Sequence, residues 1–249
     1  MSIKRNVASQ IYASVLVNSI YAMLNYPVVL ISTLLAPLSM LAVVTFASHG
    51  KLLAVAAEGA LIMNMVMSGT SLQGDLSHLK NDMRVQDMVV SSPTSAGVYI
   101  TGMALSELVY SLPTISLLII LNALFVKSTI IGWVFVFLDM STIFVFSISL
   151  GFLLSTFSSD IIQSWAFSGI LSPILTTLPP VYYPISYIPF PYRYLTYLSP
   201  TTYSAEIAQS ATGFINLGTN GFIESWLILV AVTLVITYLA LKRSRWREV

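Results

Sequence analysis

The strongest constraint on this chain is a series of apolar runs, each near 20 residues long and almost free of charge. Pro27–Ala47 holds no Asp, Glu, Lys or Arg over its 21 residues. At about 1.5 Å per helical residue, such a run crosses a hydrocarbon layer of roughly 30 Å. The same test predicts further crossings over 52–72, 98–126, 130–157, 161–178 and 222–241. Lipid leaves unpaired backbone groups unsatisfied, so each run must be a helix. The fold class expected is therefore an all-α membrane protein with six transmembrane helices. Composition agrees: 56% of the 249 residues are hydrophobic and 8% charged, where a soluble domain carries about one quarter.

The remaining segments are three. Over 1–25, apolar Ile11, Val15, Leu16 and Ile20 recur at helical spacing with Ser9, Gln10 and Asn18 between them, which predicts a helix lying in the interface. The alternative is one long helix continuing into the first span, although Tyr26-Pro27 is a natural break. No apolar core and small-residue cleavage site follow Lys4 and Arg5, so no removable signal peptide is expected. The segment 74–95 joins spans two and three and concentrates Asp75, His78, Lys80, Asp82, Arg84 and Asp87. Within it Leu76, Leu79, Met83 and Val90 repeat at helical spacing, a short amphipathic helix that Ser91, Ser92 and Pro93 end. The segment 178–211 is the third, and its first part, 178–203, holds six of the 11 prolines and seven of the 13 tyrosines. That density forbids a regular spanning helix and suits the headgroup level, so an outer re-entrant segment is expected.

Basic residues set the orientation. With six crossings both termini share a side, and that side holds Lys4, Arg5, Lys80, Arg84, Lys242, Arg243, Arg245 and Arg247, against Lys51, Lys127 and Arg193 opposite. The positive-inside rule puts both termini in the cytoplasm of a multi-pass cell-membrane protein.

Several chemistries are excluded. A net charge of +1 offers no basic field for nucleic acid. Cysteine is absent, so thiolate catalysis and Cys-ligated metals are out. His49 and His78 lie in or beside loops at opposite faces, which removes a Ser-His pair within the bilayer and a shared metal ion. Gly50-Lys51 is followed by Leu52 and lacks the earlier glycine, so no phosphate-cradling P-loop exists and no ATP hydrolysis by this chain is expected. Two carboxyls, Glu107 and Asp139, fall about ten residues into spans three and four. An unpaired charge there costs roughly 2.5 to 3.5 kcal/mol, so each should be paired, wet or protonated. For Asp139 a translocation-path or dimer-seam role and a helix-pairing role stand equal; for Glu107 helix pairing is favoured. Glu58 and Glu224 are expected to reach the headgroups without a special role.

The order of these parts resembles the permease subunit of type-2 ABC exporters across essentially the whole chain. The matching pieces are Asp75 to Val90, Ser92-Pro93 and Gly102 on one side of the membrane. On the other are Pro184, Pro189, Pro191, the run Leu198-Ser199-Pro200-Thr201-Thr202-Tyr203, and Glu206. Where many members carry an acidic-plus-basic pair and a Gly-Thr-Glu run, this chain reads Asn81-Asp82-Met83-Arg84-Val85-Gln86-Asp87-Met88. The resemblance implies a single transmembrane domain over 1–249 that pairs as a homodimer and engages a separate ATPase subunit. ATP and Mg would be bound by that subunit, and no cofactor by this chain. It implies that Asp75, Leu76, Leu79, Lys80, Asp82, Met83, Arg84, Asp87, Ser92 and Pro93 couple to the ATPase. It likewise implies an outer gate of Pro184, Tyr187, Pro189, Pro191, Arg193, Pro200, Tyr203 and Glu206. An amphipathic or lipid-like substrate, exported, fits the Tyr, Ser and Thr lining. A membrane scaffold or sensor docking some other cytoplasmic partner is the rival reading; a secondary transporter ranks last, since no broken inverted repeats are visible.

Overall fold

The computed structural model describes residues 6–78 and 96–243. Among them every regular element is helical. We number α1 Val7–Asn25, α2 Pro27–Ala47, α3 Leu53–Ser77, α4 Ala96–Phe125, α5 Ile130–Ser155, α6 Ile161–Thr176, α7 Pro200–Ala211 and α8 Gly218–Arg243. Six of these, α1 to α5 and α8, are long and apolar enough to cross a membrane. The total matches the expectation, but membership differs: α1 qualifies on length, whereas α6 has only 16 residues, about 24 Å of helix. Asp160 fixes the start of α6 by accepting the Gln163 amide at 2.7 Å, and Pro173 with Pro179-Pro180 curtails its end.

Packing settles the path of α6. Leu76 at the end of α3, Met103 near the start of α4, Ile148 and Phe152 near the end of α5 and Ala240 near the end of α8 form one buried cluster. The helices α3, α5 and α8 therefore finish at the same end of the bundle, and the chain between α5 and α8 must return to the other. The segment does so: Ser168 of α6 reaches Gln73 late in α3, while Val181 and Tyr182 pack at Gly59, early in α3. The chain from α6 to Tyr182 thus runs back along α3.

The centre is α3. Of its most apolar stretch 72% is buried, against 6% for α1 and for α2. It packs on α2, α4, α5 and α6, with its closest association to α5. Small residues make that possible. A side chain at Gly69 would run into Ser147 and Ile148 of α5, and one at Gly151 would come within 2.7 Å of the Gly69 carbonyl oxygen. Outward-facing Val28, Ile31 and Leu35 of α2, and Leu227, Leu234 and Val235 of α8, are exposed, as a lipid-facing surface requires.

The break at Tyr26 is real: α1 stops at Asn25 and Pro27 opens α2 at its first position. Within α1, Leu16–Tyr21 widens to a π-helical turn, which turns Ser19 inward to donate to the Ser106 carbonyl at 2.6 Å. Residues 11, 14, 18 and 19 span two turns of α1, yet all meet α4 within the single turn from Gly102 to Ser106.

Candidate functional site

The expected coupling residues divide at the end of α3. Leu79, Lys80, Asp82, Met83, Arg84, Asp87, Ser92 and Pro93 lie outside the described residues. Asp75 and Leu76 do not belong to a loop. The second span runs on past Leu72 to Ser77, because the 72–77 stretch still has partners on α4, α5 and α8. Leu76 is 7% exposed in the cluster that joins them. Asp75 instead lines a cavity together with Glu107. What does reach that end of the bundle is the basic end of α8, where Arg243 stacks over the Phe157 ring at 5.1 Å.

The outer residues also divide. Over 178–199 the backbone is irregular apart from a 3-10 turn, Ile185–Tyr187, and a one-turn helix, Arg193–Thr196, as the prolines require. Tyr187, Pro189 and Pro191 are exposed, and half-buried Arg193 folds back to brace them, donating from Nε to the Ile188 carbonyl at 2.6 Å and from its terminal nitrogen to Ser186 at 2.8 Å. Pro184 and Pro200 are buried; Pro200 opens α7. Tyr203 donates to the Tyr197 carbonyl at 2.9 Å. Beneath the segment lies a mainly apolar cavity of about 420 Å³, walled by Leu175, Tyr183, Tyr192, Leu195 and Ser199. Glu206 is turned inward: it is 6% exposed and accepts from Ser225 of α8 at 2.9 Å. Burial pushes its carboxyl above the ordinary carboxylate range, and the hydroxyls of Ser225 and Tyr197 draw it part of the way back.

Asp139 is fully buried and accepts from Ser204 of α7 at 2.9 Å. It ties α5 to α7, a helix pairing of the kind expected of buried carboxyls in lipid. Glu107 is 7% exposed and accepts from Ser71 of α3 at 2.8 Å, so it too pairs helices while facing the cavity.

Glu58 corrects the sequence reading. It does not reach the headgroups: it is 2% exposed, neither carboxylate oxygen has a hydrogen-bond partner, and Asp139 and Thr212 face it. The signal was in the run Ala56-Ala57-Glu58-Gly59-Ala60, whose small residues mark close helix packing on every side. Burying a polar group without a partner costs about 1 to 3 kcal/mol. Glu58→Met is therefore expected to raise the thermal midpoint of the purified protein by a few degrees, and a lower midpoint would show that the carboxyl is held by a partner. Asn64, one and a half turns further along α3, was likewise passed over. It is 3% exposed and its Nδ2 donates to nothing.

The described residues combine a buried, small-residue centre with an irregular, proline-rich end. No curated protein matches the chain. The profile of one family, described as ABC-2 type transporter, matches residues 10–212. That stretch runs from α1 through α7, most of the molecule, and the chain belongs to the ABC-2 type transporter family as a multi-pass transmembrane permease.

Proposed function

We propose that this permease works as one of two identical transmembrane subunits of an ATP-driven exporter, taking its motion from a separate ATPase through the 79–95 segment. ATP and Mg are bound by the ATPase, and the cargo is an amphipathic or lipid-like molecule that leaves past the 178–211 segment. The observation that carries this reading is the shared end of the bundle. The helices on either side of 79–95 meet the end of α8 in one buried cluster, so the end of α3 and the start of α4 stand on the same face as basic Lys242 and Arg243. The positive-inside rule makes that face cytoplasmic, where an ATPase is found. The length of α4 supports an interfacial α1 packed on its early turns: α4 has 30 residues, about 45 Å, and so extends beyond a bilayer core of roughly 30 Å. The opposite end then faces outward, with its irregular segment covered by protein or lining a wet cavity.

Topology tests the reading cleanly because the natural chain has no cysteine. In intact cells a membrane-impermeant maleimide is expected to label the Tyr187→Cys variant and to spare Gln86→Cys, which reacts only after permeabilisation. The reverse pattern would place 79–95 outside the cell and end the exporter reading.

A further inference from the structure

The cavity of about 420 Å³ under the irregular segment falls within the size range of small-molecule sites, and its lining changes with depth. Leu175, Thr196 and Ser199 on its floor are buried, while Leu178, Leu195 and Leu198 at its rim are exposed. The two floor hydroxyls are already paired within the chain: Thr196 donates to the Arg193 carbonyl at 2.8 Å, and Ser199 meets the Thr201 hydroxyl at 2.8 Å. What the cavity offers is therefore apolar surface, and among the described residues no charged side chain lines it. Three leucines at the mouth of an apolar hollow present surface that water solvates poorly and a hydrocarbon chain covers.

A cation stands beside this hollow. Arg193 is the one charged residue in 178–203, and two cavity-lining residues hold it in place: Tyr192 precedes it in the chain, and Ile188 accepts from its Nε at 2.6 Å. With Ser186 accepting from Nη2 at 2.8 Å, one edge of the guanidinium fork is spent on backbone carbonyls. The edge formed by Nη1 and Nη2 is not, and among the described residues no carboxylate pairs with it. Such an edge, fixed in direction by the carbonyls behind it, takes a phosphate through two parallel N–H···O bonds. The seven tyrosines of 178–203 put this part of the molecule at the level of the lipid headgroups, where a phosphate and an alkyl chain belong to one molecule.

We propose that Arg193 and this cavity together bind an anionic phospholipid of the surrounding bilayer, of which phosphatidylglycerol is the simplest. Nη1 and Nη2 take the phosphodiester, and one acyl chain passes between the exposed leucines to lie over Leu175 and Thr196. Charge selects the head. A zwitterionic lipid carries an ammonium close to its phosphate, which the guanidinium repels, whereas phosphatidylglycerol brings the anion alone. The bound lipid fills the hollow beneath the segment and braces backbone that its prolines keep from packing as a regular helix. Binding needs neither nucleotide nor ATPase, so the site stands apart from the export reading.

The test uses the whole permease in nanodiscs of phosphatidylglycerol and phosphatidylcholine in equal parts, with a trace of one lipid or the other carrying a diazirine in its acyl chain. After illumination, adducts on the peptides covering 174–199 are counted by mass spectrometry. The phosphatidylglycerol probe is expected to label them more than the phosphatidylcholine probe by about tenfold or more, the equivalent of one hydrogen bond between charged groups. Arg193→Gln is expected to bring the ratio close to one while the phosphatidylcholine probe still labels, which shows the cavity intact. Arg243→Gln, at the other end of the bundle, is expected to leave the ratio unchanged. Leu195→Trp, which fills the mouth and keeps Arg193, is expected to cut labelling by both probes to a small fraction. Should Arg193→Gln lose labelling by both probes, Arg193→Lys decides: a preference for phosphatidylglycerol restored by the charge supports the proposal, and none overturns it. Equal labelling by the two probes in the unaltered chain overturns it, as does a preference that survives Arg193→Gln or is lost in Arg243→Gln, or a Leu195→Trp chain that labels as before. So does a segment that neither probe reaches, the result expected if a second copy of this chain covers the cavity.

Discussion

Gly69→Ala is expected to lower the thermal midpoint of the detergent-purified permease sharply, and Gly69→Leu to leave little folded protein to purify. The cause is the crossing of α3 and α5. A methyl group at Gly69 meets the Ser147 side chain and comes within 2.7 Å of the Ile148 backbone nitrogen. Backbone cannot rotate out of the way as the tip of a side chain can, so the helices must move apart. Separation loosens the contact across the most buried helix of the molecule, and overpacking of this kind costs about 1 to 3 kcal/mol for small insertions and more for large ones. The control is Gly169→Ala on α6, where a new methyl meets nothing within 4 Å. There the change is expected to be neutral or mildly stabilising, since alanine exceeds glycine in helix propensity by up to about 1 kcal/mol. Equal midpoints for the two variants would refute the close-packed crossing.

Replacing Leu79 and Met83 together by Asp is expected to abolish recovery of the ATPase with the permease and, with it, ATPase stimulation in the reconstituted complex. The two residues stand four apart, on one face of the amphipathic helix expected over 76–90. If the proposed interface buries both side chains, each contributing about 1.5 to 3 kcal/mol, losing the two weakens it on the order of a hundredfold or more. The permease itself should keep its thermal midpoint. Leu76→Asp separates the two effects: Leu76 is buried among α3, α4, α5 and α8, so its replacement should reduce the yield of folded permease. An ATPase that copurifies undiminished with the Leu79→Asp, Met83→Asp variant would overturn the proposed coupling, whatever its cargo.

The amino-acid sequence determines the class of molecule. Uncharged runs longer than a bilayer core admit one solution, helices, and they place α2, α4, α5 and α8 within a few residues because hydropathy is local and additive along a chain. The absence of a P-loop and the crowding of proline into 178–203 are equally plain in the sequence. Its limits appear wherever a residue depends on something distant in the chain. Asp75 and Leu76 read as loop by their charge and spacing, yet α3 continues through them because Met103, Ile148 and Ala240 wait to cover that turn. Glu58 lies near a helix end and reads as a headgroup contact, yet it is buried, with Asp139 of α5 and Thr212 at the end of α7 facing it. Asp139 and Glu206 found their partners, Ser204 and Ser225, 65 and 19 residues away. The traverse of α6 is legible only from which ends share a cluster. Hydropathy states that a segment leaves water; which neighbours then satisfy its polar groups, and which side chains are left facing an empty space, is a property of the assembled helices.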